Sequence, residues 1–231
     1  MQQHDVNSSR RGFLGKIATG AAALGAASLA APLSLTANTI QKSTGTLADA
    51  DAWFSQIKGK HRIVFDVPEG NGIFPFAWPR IFLVTNAATG TPEKENSVVV
   101  ILRHNGIGYA MQDSLWAKYK FGEVFHLPDP ATNQPATFNP FWKPKTPFSV
   151  PGIGPVPIGI NELQESGVMF AVCDAALTVY SAVVAQGAGL NAADVKKEWV
   201  AGLLPGIQIV PSGVWAVGRA QEHNCAYCFA G

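Results

Sequence analysis

Val168-Met169-Phe170-Ala171-Val172-Cys173-Asp174-Ala175-Ala176-Leu177 decides the fold. An apolar run of strand length stops at a cysteine. Ala176, Leu177, Tyr180, Val183 and Val184 then recur on one helical face. Strand, cysteine, helix is the crossover of an α/β sheet. It sets the Cys173 thiol at the carboxyl end of a strand and the amino end of a helix. Ligands of open parallel sheets bind beyond that edge, and a helix amino terminus favours the reactive thiolate over the thiol. A small buried hydrophobe is the alternative reading of the same residue. Both stand at this point.

Working outward, Ser97–Arg103 is β-branched and apolar on both faces, as an interior parallel strand should be. It ends at His104-Asn105-Gly106, and a helix is predicted from there to Lys120, with Ile107, Met111, Leu115 and Tyr119 on one stripe. His61–Val67 reads as the first strand. Phe74–Ala88 fits a helix or, through Ile81–Val84, a buried strand. The alternating order decides for the helix, with Pro79 at a first helical position. Leu47–Lys58 reads as a short amphipathic helix. Asn161, with Gln164 three residues on, starts another short helix. The helix after Cys173 runs to about Gln186, and the next opens at Asn191. Ile207–Val210 is the fourth strand, Ser212 caps the helix from Val214 to about His223, and Cys225–Phe229 is a last short strand. This alternation predicts α/β architecture: a mostly parallel sheet, helices on both faces and right-handed crossovers.

The first residues read as a targeting segment. Ser9-Arg10-Arg11-Gly12-Phe13-Leu14-Gly15-Lys16 resembles the twin-arginine export motif, and the weakly apolar Ile17–Ala31 is broken by Pro32. Residues 1–37 are therefore expected to be a signal peptide. Residues 38–231 are expected to be one exported, periplasmic domain with no permanent membrane span after cleavage. The periplasm is oxidising, which matters for three cysteines. A formal net charge of +1 carries no basic patch for nucleic acid and no charge block. Residues 121–157 differ in kind: they are dense in Pro, Asn, Thr and Phe and have no clear period. So long an insertion is usually functional, a lid or an oligomer contact, or else mobile, and some of the aromatics Phe138, Phe141, Trp142 and Phe148 are expected to pack on the domain or on a neighbouring subunit.

In this layout three strand ends converge on one edge. His104 and Asn105 follow the second strand, Cys173 and Asp174 the third, Ser212 and Gly213 the fourth. Helix amides at that edge suit an anion. A thiolate, an imidazole and such amides fit sulfur or acyl chemistry better than metal hydrolysis, and no cofactor or metal is expected. His104 would orient an anion or tune the thiol. Asp174 is a first-turn carboxylate that opposes thiolate formation, and Ser212 is a cap. The tail adds Cys225 and Cys228, with His223 near. Unpaired thiols, a disulfide, and a redox or metal pair are all compatible with Cys-x-x-Cys. On a strand, a spacing of three turns the two side chains to opposite faces, so a bridge would need a turn.

Several motifs in order carry a resemblance. Val99–Trp116, with Leu-Arg-His-Asn-Gly before an amphipathic helix, is similar to the DsrE/DsrF-like sulfur-relay superfamily, and so is Gly167–Cys173 with its helix. Leu204-Pro205-Gly206 through Pro211-Ser212-Gly213-Val214 to Arg219-Ala220-Gln221-Glu222 resembles the exported, twin-arginine branch of that group. The likeness covers about residues 58–231, apart from the insertion. It implies a flavodoxin-like sheet of about five strands, a homo-oligomer, and a cysteine at the position of Cys173 that carries a persulfide between a donor and an acceptor protein. The export motif, the insertion and the Cys-x-x-Cys tail depart from the cytoplasmic relay members, and a tRNA role does not transfer. Two other classes remain beside this one: a non-catalytic binding or assembly protein, and a metal or redox module on the tail.

Overall fold

The computed structural model describes residues 47–150 and 152–231; the predicted signal segment, residues 1–37, lies outside the described residues. In chain order the elements are α1 (Leu47–Trp53), β1 (His61–Val67), α2 (Phe74–Ala88), β2 (Asn96–Leu102), α3 (Asp113–Tyr119), α4 (Phe121–Val124), β3 (Phe148–Val150), β4 (Gly154–Val156), α5 (Ile160–Glu165), β5 (Met169–Cys173), α6 (Asp174–Ala188), α7 (Ala192–Ala201), β6 (Ile207–Val210), α8 (Gly213–Glu222) and β7 (Ala226–Phe229). Five strands form one parallel sheet in the order β6-β5-β2-β1-β7, a flavodoxin-like layered architecture. Among the described residues, no helix is long and apolar enough to cross a membrane.

Chain direction explains the layers. From β1 to β2, β5 and β6 each step moves to the next strand on the same side, so right-handed crossovers stack their helices on one face. The return from β6 to β7, beside β1, runs the other way and lays α8 across β1, β2 and β5 on the opposite face. Two cores result. The larger contains Phe65, Val100, Leu102, Phe170, Val172, Leu177 and Trp199. The smaller, under α8, contains Phe54, Val64, Val99, Ile101, Ala171, Ala216 and Cys225. β2 feeds both, with Val99 and Ile101 on one face and Val100 and Leu102 on the other, which is why it has no polar alternation. Full burial of each such side chain contributes about 1.5–3 kcal/mol.

The alternation, the helical reading of Phe74–Ala88, the helix start at Asn191 and the cap at Ser212 match the structure. Four local expectations do not. Pro79 lies inside α2, and it is Pro75 that occupies the first turn. The helix predicted after β2 is split: His104–Ala110 is a 3-10 segment, and α3 starts at Asp113. Gly106 in the 3-10 segment lies so close to the Val67 carbonyl that a Cβ there would stand 2.3 Å from the oxygen. The predicted stripe of Ile107, Met111, Leu115 and Tyr119 is nevertheless buried. α1 ends at Trp53, and Phe54–Gln56 continue as a 3-10 turn. Finally, Gly159 rather than Asn161 precedes α5. The Glu162 carboxylate accepts the Gly159 N–H at 2.8 Å, while Asn161 accepts from the Lys143 N–H.

The insertion is ordered by packing, not by period. Phe121, Phe125, Leu127 and Phe141 are fully buried in the larger core, whereas Phe138 is exposed. Asn139 donates to the carbonyls of Tyr109 and Met111 and accepts from the Phe141 N–H. Arg80 of α2 fastens the far end by donating to the Pro157 and Glu162 carbonyls and to Ser166.

Candidate functional site

All five sheet strands are parallel, so their carboxyl ends share one edge. Cys173 ends β5 and caps α6: its sulfur accepts the Ala176 N–H at 3.2 Å. The side chain is 6 % exposed. Burial pushes the thiol up; N–H groups of Ala176 and Gly213 pull it down, Asp174 pushes it up again, and the Ala175 N–H pulls it down. The amino termini of α6 and α8 thus both address one sulfur. Burial still wins, so the net shift is upward, opposite to what the helix amides alone would produce.

The other expected residues divide. Gly213 joins the site through its N–H, and it lets the Arg103 side chain lie against the start of α8, where a Cβ would stand 2.4 Å from that of Arg103. Ser212 is a cap: its hydroxyl accepts the Trp215 N–H at 3.2 Å. Asp174 is buried and faces Lys196 of α7, with an N–O distance of 2.8 Å. It is therefore a neutralised structural carboxylate, not an anion-binding group. Asn105 accepts from the Tyr180 hydroxyl at 2.7 Å and ties the 3-10 segment to α6. His104 is exposed, with φ +48°, and its ring stands edge-on to Tyr180 at 5.6 Å.

Three residues that sequence reasoning missed complete the edge. Leu102 pairs with Val172, so the next residues, Arg103 and Cys173, stand side by side on adjacent strands. Arg103 donates through Nε and Nη2 to the two carboxylate oxygens of Asp66 on β1, at 2.6 and 2.9 Å. The Tyr227 hydroxyl of β7 donates to the same carboxylate at 2.9 Å. Hydrogen bonding to Asp66 holds the guanidinium above its ordinary value, and the neighbouring Cys173 thiolate acts in the same direction. A signal was present in the sequence: a carboxylate inside the apolar strand His61–Val67 is not left without a partner. The partner itself came from a strand 37 residues away.

The tail cysteines stay apart. Among the described residues all three cysteines are free. Cys225 packs in the smaller core, while Cys228 lies against the larger one, on the other face of the sheet. The disulfide or redox pairing considered for them is not made in this conformation; Cys225 precedes β7 and Cys228 lies on it. His223 stacks on Phe54 at 6.3 Å. Among the described residues no group of three or more His, Cys, Asp or Glu side chains gathers to hold a metal ion. Two clefts lie elsewhere. One of about 600 Å³, at the opposite edge, is lined by Lys58, Lys60, Asn96 and Gln164. One of about 480 Å³ in the insertion is lined by Phe138, Trp142, Lys143 and Phe148.

No family model and no curated protein matches the chain. Among solved structures, it is similar to the protein of unknown function MTH1491 from Methanobacterium thermoautotrophicum. The identity is 17%, over 74% of this chain and 99% of that one, with a TM-score of 0.38.

Proposed function

We propose that the protein is an exported, periplasmic sulfur carrier of the DsrE/DsrF-like kind, with Cys173 as the thiol that bears a persulfide. The observation that carries the reading is the place of its sulfur between two helix amino termini: it accepts the Ala176 N–H of α6 at 3.2 Å, and the Gly213 N–H at the start of α8 pulls the thiol in the same direction. An anionic sulfur is the species such donors favour. In the transfer step the Cys173 thiolate attacks the sulfane sulfur of a donor persulfide. A Cys173 S–S bond forms, the donor S–S bond breaks, and the donor leaves as a thiolate that takes a proton; no net oxidation occurs. Discharge to an acceptor thiol is the same exchange in reverse. The donor and the acceptor are proteins in this reading, and the carrier is a homo-oligomer.

The test is peptide mass spectrometry on the exported protein after exposure to inorganic polysulfide, with native alkylation before and after reduction. A reducible gain of sulfur on the Cys173 peptide is expected. Cys173→Ser should abolish it, and loss of both Cys225 and Cys228 should leave it intact. Loading of the Ser variant would overturn the assignment.

The second reading is a non-catalytic binding or assembly protein, favoured by the aromatic cleft of the insertion. There Cys173 is only a packed thiol, and the same spectra would show it unmodified.

A further inference from the structure

Cys173, Arg103, Asp66 and Tyr227 lie on β5, at the end of β2, on β1 and on β7, which is their order across the sheet. We propose that Arg103 is the positioning residue of the Cys173 site, held by Asp66 and Tyr227 so that its charge favours the anionic form of the sulfur. The last strand of the chain is thereby part of the site. This deepens the sulfur-carrier reading and rests on it for its purpose.

The argument starts from the fork. A guanidinium has five N–H donors in one plane, and Asp66 uses two of them, on Nε and Nη2. That bidentate grip fixes the plane. Tyr227 in turn fixes the carboxylate, and the wall of Gly213 closes the third side. Arg103 is about one-quarter exposed while Asp66 is buried, so the pair is anchored at the acid and open at the base. The groups that face the sulfur are then few. α6 offers Asp174, which Lys196 of α7 neutralises. α8 offers amides and has no acid in its first turn. The end of β2 offers Arg103, with Asp66 and Tyr227 behind it; His104, next in sequence, packs on Tyr180. Arg103 is therefore the cation that follows the strand next to Cys173 and packs on Gly213, where a thiolate or persulfide anion would meet its charge. Lys cannot reproduce the two-pronged grip, but it can supply the charge.

The titration of Cys173 in the full-length protein tests this, followed by NMR of its Cβ in protein labelled on cysteine; Cys225 and Cys228 serve as internal references. Arg103→Gln is expected to raise the Cys173 midpoint by about one pH unit, a roughly tenfold loss of thiolate at any pH below it. Arg103→Lys should recover most of that shift. Tyr227→Phe, which removes one hydroxyl and is expected to fold even where the Gln variant does not, should move the midpoint the same way by a smaller amount. The Cys225 and Cys228 resonances should titrate as in the parent. An unmoved Cys173 midpoint in folded Arg103→Gln or in Tyr227→Phe would overturn the proposal, as would a Lys variant that shifts as far as the Gln one. No sulfur donor is present, so this result is independent of persulfide loading: a positive titration with no loading would sink the carrier reading and leave the role of Arg103 standing.

Discussion

Cys173 and Cys225 are equally buried, each 6 % exposed, yet they sit in opposite kinds of environment. Cys173 lies where a strand ends, within reach of backbone donors from two helices and beside a guanidinium. Cys225 lies beyond the end of α8 among Phe54, Val64, Val99 and Ala220, and burial pushes its thiol up to about 11 with only Arg62 pulling it down. Burial therefore does not separate a chemically equipped thiol from a packed one. What separates them is unsatisfied N–H groups, and parallel α/β sheets collect those where strands hand over to helices.

Three experiments press on this difference. The largest effect is expected from Asp66→Asn, which leaves Arg103 without its counter-charge at a mostly buried position. A loss of about 3 kcal/mol is expected by urea unfolding, together with a shift of the Cys173 resonance and none of Cys225. A stability loss confined to a few tenths would show that solvent satisfies Arg103 and that the edge is looser than its geometry. Next, Gly213→Ala sets a methyl 2.4 Å from the Arg103 Cβ. It should cost about 2 kcal/mol and displace either Arg103 or the start of α8, again moving Cys173 alone. The smallest effect concerns Cys225. Its folded value exceeds its ordinary 9.0, so the unfolded chain ionises first and stability falls as pH rises from 9 to about 11, then levels. After allowance for screening by nearby solvent the loss is about 1 kcal/mol. Thermal unfolding against pH checks it, with Cys225→Ala expected to flatten that part of the slope.

Much of the edge was legible before any coordinates. The strand-to-helix junction at Cys173, the cap at Ser212 and the convergence of Cys173 with Gly213 follow from short-range patterns, because strand and helix periods repeat within a few residues. For His104 and Asp174 the sequence shows which residues leave a strand but not where their side chains find partners. Asp174 found Lys196 on the next helix, and His104, in a left-handed turn, found Tyr180. The tail pair is the converse case. Its spacing of three turns the two side chains apart if both lie on the strand; Cys225 stands just before β7, and the two thiols do lie against different cores.

By itself the sequence determined the order of the five sheet strands, the parallel layered architecture and the site of the one thiol at a strand end, since all three rest on local periodicity and on handedness. Only the tertiary structure decided that Asp66 meets Arg103 and Tyr227, 37 and 161 positions away in the chain. It alone also decided the titration of Cys173, where burial outweighs the amides. Strand register and depth of burial are properties of the assembled sheet, and no window of neighbouring residues contains them.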